Sequence, residues 1–344
     1  MKIEGITVSE ILDSRRKKTI EVTLRADANS FSTQLPSGKS KGKNEAVTLG
    51  FESAKNILEG GLEKEIIQRE WNGVSNLDKF LIEYDGTENK SKIGGDLSLG
   101  ISVSFARALA NTRSQELWEV IREEFFKGSY KSEQPKIFCN MINGGAHADD
   151  NLDIQEYQIV GATKGGVTST ITEIGSLYTK LGELLANRFG AEKIGFGDEQ
   201  GYALNFENNL EPLKVLGELL YESIHKEDFE LGIDAAASSF WDGDGYKFDE
   251  NNLSTDELLE TYKKYFEECS SLKYVEDPFA EDDGVGFKRF FESFGKDKVI
   301  IGDDLTTTNA KLVEKYADKA INGVIIKPNQ IGTVTETCEA MLVA

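Results

Sequence analysis

The feature that most constrains the fold is an alternation of amphipathic helical segments with short apolar runs from Gly195 onward. The stretches NNLEPLKVLGELLYESI and STDELLETYKKYFEEC have the apolar spacing of amphipathic helices, and each is followed by a run typical of a buried strand. Two consecutive strands, KIFCNMI and LDIQEYQIV, are predicted upstream. Strands alternating with helices of this length indicate βαβ units. The sequence therefore predicts a parallel α/β barrel.

Charged side chains close four of the apolar runs. Asp234, Glu276 and Asp303 end the segments FELGID, LKYVE and KVIIGD, and Lys327 ends GVIIK. Catalytic groups of parallel barrels lie at the C-terminal ends of their strands. Three carboxylates and a lysine at that edge suit a divalent cation with a base beside it. The alternative is that the acids are solvated loop residues and that the lysine extends to solvent.

The N-terminal part of the chain has a different pattern. Residues 1–35 hold three segments, ITVSEILDS, TIEVTLRAD and SFSTQLPS, which predict a small meander of strands. Helical periodicity then extends from about Ala46 to Phe126, and the polar stretch Lys127–Pro135 is the predicted linker. We therefore expect an N-terminal α+β domain and a barrel domain, with the boundaries 1–126 and 135–344.

The composition argues against several classes of partner and location. With 60 acidic residues against 39 Lys and Arg, the formal net charge is −21, which argues against nucleic acid or an acidic membrane as a partner. Cys139, Cys269 and Cys338 are far apart and form no CxxC motif, so we expect reduced thiols. The N-terminus lacks the apolar core of a signal peptide, and no apolar run approaches transmembrane length. We expect a cytoplasmic globular protein.

A series of motifs along the chain resembles the enolase family, which dehydrates 2-phosphoglycerate to phosphoenolpyruvate. The motifs are ILDSR, PSGKSKG, INGGAHA, LDIQEY, GDE, VEDPFAEDD, GDDLTTTN and KPNQIGT, in the order of the family. Their common order is far more specific than any one of them. The resemblance implies an N-terminal α+β domain, a three-stranded meander plus helices, followed by an enolase-type β/α barrel.

The resemblance gives roles to the charged strand ends. Asp234, Glu276 and Asp303 match the ligands of a tightly bound Mg²⁺, a cation that prefers octahedral oxygen coordination. Lys327 matches the general base, which removes a proton from the carbon next to the substrate carboxylate and also contacts substrate. A lysine base with one or two Mg²⁺ ions is typical of enolase-superfamily sites.

Further roles fall on residues of three other motifs. Glu199, in GDE, matches the general acid that protonates the departing hydroxyl, and Glu156 would assist it, because neighbouring carboxylates raise each other's pKa. His147, in INGGAHA, matches an active-site histidine that also contacts substrate. Gln155 and Glu156, in LDIQEY, are implied to contact substrate as well.

The loop PSGKSKG resembles the mobile loop of the family, expected here at residues 36–44, which closes over substrate. Within it, Ser40 would ligate a second Mg²⁺ that bridges to the phosphate. Lys39 and Lys41 stand where small or hydroxyl residues are expected, so they either attract the phosphate or crowd the closed loop. A P-loop is excluded because the GxxxxGK[ST] spacing is absent.

Two departures from the family pattern replace a glycine. Gln200 follows GDE, and if this position needs a glycine conformation, the loop that carries Glu199 is expected to be displaced. The segment DSRRKKT stands where the family has DSRGNPT, so a different turn is expected after Arg15, a residue that lies near the dimer interface in the family.

The family sequence continues beyond the position that matches Ala344, with a phosphate-binding loop and a substrate-binding lysine. We therefore expect a barrel that is incomplete at its last strands. The leading hypothesis is Mg²⁺-dependent dehydration of 2-phosphoglycerate, through a metal-stabilised enolate, in glycolysis or gluconeogenesis, by a homodimer or larger homo-oligomer. The alternative is a catalytically impaired or silent enolase-like protein that acts through its surface or by assembly. A superfamily member acting on acid sugars is a third possibility, which the GDE and SGxS motifs disfavour.

Overall fold

A computed structural model describes residues 1–36, 38, 42–127, 134–223 and 226–344 of the chain. The predicted linker therefore lies largely outside the described residues, as do Lys39, Ser40 and Lys41 of the predicted mobile loop.

The described secondary structure mixes strands and helices along the whole chain. The strands are β1 (Gly5–Leu12), β2 (Lys18–Ala26), β3 (Asn29–Gln34), β4 (Lys136–Asn143), β5 (Glu156–Ala162), β6 (Gly195–Phe196), β7 (Tyr202–Ala203), β8 (Phe229–Asp234), β9 (Tyr246–Phe248), β10 (Asn251–Leu253), β11 (Leu272–Glu276), β12 (Val299–Gly302) and β13 (Gly323–Val324). The α-helices are α1 (Phe51–Ile57), α2 (Glu63–Ile67), α3 (Val74–Asp85), α4 (Gly95–Arg113), α5 (Leu117–Phe125), α6 (Val167–Phe189), α7 (Glu211–Tyr221), α8 (Thr255–Glu268), α9 (Gly284–Phe294), α10 (Ala310–Tyr316), α11 (Pro328–Ile331) and α12 (Val334–Val343).

The chain forms two compact units that differ in how continuous they are in sequence. The first unit joins the N-terminal residues to two later segments, and it comprises Met1–Lys131, Thr306–Lys315 and Val324–Ala344. The second unit comprises Ser132–Leu305 and Tyr316–Gly323.

The first unit contains the predicted three-stranded meander. Its strands are antiparallel in the order β1-β2-β3, with Val8 opposite Val22 in the register. Side chains of a strand point alternately to its two faces, and one face of β2 is accordingly buried. The buried residues of β2 are Ile20, Val22, Leu24 and Ala26. The prediction of a small meander is confirmed.

Helix α4 packs directly on the buried face of this meander. A Cβ atom at Gly100 would lie only 2.3 Å from Cγ2 of Val22, so the close approach of helix and strand requires glycine. Ser104 carries the polar part of the same interface, since its hydroxyl lies 3.1 Å from the Val22 carbonyl and 2.9 Å from the Thr33 hydroxyl. The helix is therefore fixed to the sheet by both shape and hydrogen bonds.

Helix α12 also belongs to the first unit, and buried charges hold its N-terminus. Thr333 is its N-cap, and the hydroxyl accepts from the Glu336 amide at 3.2 Å. Asp78 of α3 accepts two hydrogen bonds from Thr335, from the amide at 2.8 Å and from the hydroxyl at 2.6 Å. Lys90, which is almost fully buried, pairs with Glu336 at 2.8 Å. A negative group near a helix N-terminus is favourable because the first amides lack partners there.

The second unit is built on an eight-stranded sheet with the order β13-β12-β11-β8-β5-β4-β7-β6. Strands β8, β11 and β12 are mutually parallel, whereas β5 is antiparallel to both β4 and β8. The expectation of a parallel barrel is therefore wrong at β5, and β6 is likewise antiparallel to β7. The physical reason is that no crossover helix lies between β4 and β5, and parallel neighbours need such a crossover.

Most strand ends agree with the prediction, and one does not. Strands β8 and β11 end at Asp234 and Glu276 as predicted, and β12 ends one residue before Asp303. Strand β13 is only two residues long, so Lys327 does not end a strand but precedes the short helix α11. Pro328 explains this, because proline lacks the amide that a sheet requires and is favoured in the first turn of a helix.

The cysteines and the helices bear on two expectations from composition. Cys139, Cys269 and Cys338 are free thiols, as predicted. Among the described residues, no helix combines the length and the apolar character that a membrane span requires.

Candidate active site at the strand ends of the second unit

Asp234, Glu276 and Asp303 lie at the ends of three adjacent strands, and we call them the carboxylate row. The register pairs Asp234 with Glu276, and Glu276 with Ile301, two residues before Asp303. Their exposed fractions are only 7%, 9% and 6%. An all-oxygen set of buried carboxylates has the chemistry that hard cations such as Mg²⁺ prefer, so these residues fit a magnesium site.

The orientation of Asp234 within the row is set by two donors. The Ala236 amide donates to Oδ1 at 2.9 Å, and the Gln155 side-chain amide donates to Oδ2 at 3.2 Å. The Gln155 backbone amide also donates to the Asp234 carbonyl at 3.0 Å. Gln155, which sequence resemblance places in contact with substrate, therefore lies against a carboxylate of the row.

Asp277 is a site residue that sequence reasoning missed. It follows Glu276 directly, is 5% exposed, and accepts the backbone amides of Asp303 and Asp304. Burial raises the pKa of Asp277 well above its usual range, and repulsion from Asp303 and Asp304 adds to this. The sequence signal was the position of Asp277 next to the predicted ligand Glu276. Nothing in the motif shows from which amides Asp277 would accept hydrogen bonds.

A second group of polar residues, which we call the histidine cluster, consists of His147, Glu156 and Glu199. Nδ1 of His147 lies 3.6 Å from Oε1 of Glu156 and 3.7 Å from Oε2 of Glu199. Three different elements supply these side chains: a short 3₁₀ turn after β4, the first residue of β5, and the turn between β6 and β7. His147 is buried, whereas the Glu199 side chain is 44% exposed. The structure thus brings together three residues that the motifs predicted separately.

The two carboxyl groups of the histidine cluster have unequal environments. Burial raises the pKa of Glu156 to about 9, and the negative charges of Asp234 and Glu199 act in the same direction. The Gln158 side-chain amide donates to Glu156 at 2.8 Å and offsets part of this effect. Burial and like charge therefore favour the protonated form of Glu156. Because Glu156 is opposite Asp234 in the register, the histidine cluster and the carboxylate row share one edge of the sheet.

The turn that carries Glu199 contains the Gln200 substitution. Gln200 has a φ of 64°, in the left-handed region that favours glycine, and the Tyr178 hydroxyl donates to its carbonyl. Glu199 nevertheless lies beside His147, and the Asn140 amide donates to it at 3.2 Å. The chain therefore accommodates a glutamine in the glycine-type conformation instead of displacing Glu199 from the cluster. Arg16, the other replacement, likewise has a φ of 63°.

Two further residues predicted from the sequence are Lys327 and Ser40. Lys327 belongs to the first unit, where its backbone amide donates to the Thr308 hydroxyl at 2.8 Å. That hydroxyl donates in turn to the Gln330 side chain at 2.8 Å. Ser40, the predicted ligand of a second Mg²⁺, lies outside the described residues.

Comparison with known proteins identifies the architecture that carries these residues. Residues 3–121 match the enolase N-terminal domain, and residues 132–344 match the enolase C-terminal TIM barrel domain. The chain belongs to the enolase family. Within it, the enolase of Ehrlichia ruminantium (strain Welgevonden) is 36% identical to the chain over an alignment of 359 residues, which covers 100% of this chain and 83% of the relative.

Two further relatives come from other organisms. Enolase 2 of Lactobacillus johnsonii is 35% identical over 99% of this chain and 82% of its own length. The enolase of Aeropyrum pernix is 34% identical over 99% of this chain and 81% of its own length. The family assignment confirms the predicted fold class, an N-terminal α+β domain followed by an enolase-type barrel, and the predicted enzyme class, a hydro-lyase. The eight-stranded sheet of the second unit is consistent with an incomplete barrel of this type.

Proposed function

We propose that this chain catalyses the Mg²⁺-dependent dehydration of 2-phosphoglycerate to phosphoenolpyruvate, in glycolysis and gluconeogenesis. Membership in the enolase family supports the reaction. The observation that carries the proposal is the shared edge of the second unit, where the buried carboxylate row lies beside the histidine cluster. Such an edge offers a cation site and a proton donor next to each other.

Asp234, Glu276 and Asp303 would hold the Mg²⁺. Their support is the donor set itself, which consists of oxygen atoms only and is buried at adjacent strand ends. Bound there, Mg²⁺ would supply positive charge that stabilises the enolate formed from the substrate carboxylate. A second Mg²⁺ ligated by Ser40 is part of the proposal on sequence resemblance alone.

Lys327 would be the general base that removes the proton from carbon 2 of the substrate. Its assignment comes from the KPNQIGT motif. A lysine must be neutral to act as a base, and a nearby cation favours the neutral form because it repels the ammonium. The hydrogen bonds that join Lys327 to Thr308 and Thr308 to Gln330 would restrain the backbone from which the base extends.

Glu199 and Glu156 would supply the proton for the departing hydroxyl. Burial raises the pKa of Glu156, which favours its protonated form and suits a carboxyl group that assists proton donation. Glu199 is the more exposed of the two and is the member that would reach the hydroxyl. His147, close to both carboxyl groups, and Gln155, bound to Asp234, would contact and orient the substrate.

Two variants separate the proton-abstraction step from the dehydration step. Phosphoenolpyruvate is followed by its absorbance, and exchange of the substrate C2 hydrogen with solvent is followed by NMR. We expect turnover by the parent with Mg²⁺ but not with a chelator. Lys327→Ala should lose both turnover and exchange, whereas Glu199→Gln should lose turnover and keep exchange. Parent-like turnover by Lys327→Ala would overturn the assignment of the base.

The second candidate is an enolase-like protein without catalytic activity. The observation that favours it is the pair of strained positions Gln200 and Arg16, at which the family pattern has glycine. Metal binding without turnover and without C2 exchange would support this candidate. The proposed homodimer or larger homo-oligomer is tested separately by light scattering of the native protein.

A further inference from the structure

Asp277 has a side chain whose two oxygens accept hydrogen bonds from consecutive backbone amides. Oδ1 accepts the amide of Asp303 at 3.1 Å, and Oδ2 accepts the amide of Asp304 at 2.7 Å. Both amides come directly after β12, where the sheet no longer provides partners for them. The side chain of Asp277 therefore accepts the hydrogen bonds that a neighbouring strand would otherwise accept from these two amides.

The backbone of Asp277 is bound on both sides as well. Its amide donates to the carbonyl of Ile301 in β12 at 2.9 Å, and its carbonyl accepts the amide of Ala237 at 3.1 Å. Its φ of 38° is unusual for a residue other than glycine, so this conformation persists only because the surroundings fix it. One residue thus connects the ends of β8, β11 and β12, the three strands that carry the carboxylate row.

The burial of Asp277 beside other acids has an electrostatic cost, and the hydrogen bonds from the amides of Asp303 and Asp304 offset part of it. A buried carboxylate beside other buried acids is unfavourable, and a neutral side chain would avoid the repulsion. Asparagine has one acceptor oxygen and a second group that can only donate, so it cannot accept the two amides on separate oxygens as Asp277 does. The hydrogen bonds to residues 303 and 304 fix the backbone from which the Asp303 carboxylate extends.

We propose that Asp277 is a positioning residue for the cation site, which holds Asp303 in place relative to Glu276 and Asp234 without itself binding the cation or the substrate. This inference rests on the proposed function, since it takes the carboxylate row as the ligand set. Residues that orient metal ligands are expected to change affinity by about 10–100-fold when they are replaced.

Asp283 provides a matched control in the same unit. It also accepts a backbone amide, that of Gly286 at 2.8 Å, and it accepts the hydroxyls of Tyr246 at 2.9 Å and Thr255 at 2.7 Å. Its partners lie at the start of α9 and nearby, not at the ends of the strands that carry the row. Asp283→Asn should therefore reduce stability without changing cation affinity.

The test measures Mn²⁺ binding by EPR of the free ion, for the parent chain and for three variants at equal folded fraction by circular dichroism. We expect Asp277→Asn to raise the Kd for Mn²⁺ by about 10–100-fold. Asp283→Asn should leave the Kd within about threefold of the parent, and Asp234→Asn should remove detectable binding. A parent-like Kd for Asp277→Asn, or an equal rise for Asp283→Asn, would overturn the inference.

A second measurement needs no variant and no metal. Hydrogen exchange of the metal-free parent should show slow exchange of the Asp303 and Asp304 amides, and exchange as fast as that of exposed loops would overturn the inference. The outcomes also separate this inference from the proposed function. Mn²⁺ binding that depends on Asp277, without any turnover, would overturn the function alone. A parent that binds no Mn²⁺ would overturn the ligand assignment and this inference together.

Discussion

The two units of the molecule treat buried charge in different ways. In the first unit, Lys90 pairs with Glu336, and Asp78 accepts the amide and hydroxyl of Thr335 at a helix N-terminus. In the second unit, like charges are gathered: the carboxylate row, Asp277 and the two glutamates of the histidine cluster lie along neighbouring strand ends. Buried groups in the first pattern hold helices together. The second pattern costs stability, and groups of titratable side chains arranged in this way are typical of functional sites.

The largest effect on turnover should come from a substitution in the carboxylate row. Asp234→Asn removes one ligand of the proposed cation site, so turnover should fall by about a thousandfold, because a metal supplies several kcal/mol to the transition state. In the absence of metal the same change should raise the melting temperature, since it removes one negative charge from the row. Calorimetry with and without Mg²⁺ checks the reversal of sign. A lower melting temperature in both conditions would mean that Asp234 is a structural residue.

Removal of one charge from the Lys90–Glu336 pair of the first unit should lower stability, whereas removal of a charge from the carboxylate row should raise it in the absence of metal. Lys90→Met leaves Glu336 without its buried cation, and we expect a loss of about 2–4 kcal/mol in the free energy of unfolding. Glu336→Gln in the Lys90→Met background should recover part of the loss. Lys79→Met is a matched control because the Lys79–Glu83 pair is exposed, at 3.9 Å, and should change stability by less than about 0.5 kcal/mol. Urea denaturation measures all four proteins.

The pH dependence of the free energy of unfolding should show how Asp78, a buried acid of the first unit, contributes to stability. Burial raises the pKa of Asp78 from 3.8 to about 6. The folded state therefore binds this proton more tightly than the unfolded chain, so the contribution of Asp78 to stability is greatest at low pH and falls as the pH rises toward 6. The parent should lose up to about 3 kcal/mol of this contribution as the pH rises from 4 to 7, and Asp78→Asn should show no such loss because asparagine does not titrate. Equal slopes for parent and variant between pH 4 and 6 would contradict the raised pKa.

The smallest effect should come from Gln200. A non-glycine residue in the left-handed region costs about 1 kcal/mol, and glycine loses a similar amount through the entropy of the unfolded chain. Gln200→Gly should therefore change the free energy of unfolding by less than about 1 kcal/mol. Gln200→Val should cost about 1–2 kcal/mol more, because branched side chains fit this conformation poorly. Thermal unfolding of the two variants measures the difference, and equal stability would show that the turn relaxes.

The sequence predicted the carboxylate row because strands have a simple signature. An apolar run that stops at an acid predicts a strand end, and Asp234 and Glu276 lie at such ends. Alternation of side chains does not give the direction of β5, because it is the same in parallel and antiparallel strands. The signal that was overlooked is the short connection from β4, which holds no crossover helix. Lys327 shows a related limit, since the apolar run GVIIK continued past the strand and Pro328 marked the change.

Other parts of the site depend on contacts between distant segments. Asp277 binds residues 26 and 27 positions later in the chain, and no local pattern records such a pairing. The sequence also did not decide how Gln200 affects the turn that carries Glu199. The turn could move away from its usual position, or it could keep that position with Gln200 in a strained conformation. In the structure Gln200 has a φ of 64° and Glu199 lies beside His147, so the turn accepts strain.

The antiparallel direction of β5 has a consequence for how this edge of the sheet can change. Asn143, the last residue of β4, is opposite Glu156, the first residue of β5, so both ends of the segment between them meet the same edge. That segment carries His147 and Gln155, and it begins and ends on a closed hairpin ladder. The middle of the segment is fixed as well, because the amides of Asp153 and Ile154 donate to the Asn209 side chain at 2.8 Å and 3.1 Å. A change in the length of this segment would therefore move His147 and Gln155 relative to the strands that carry the row.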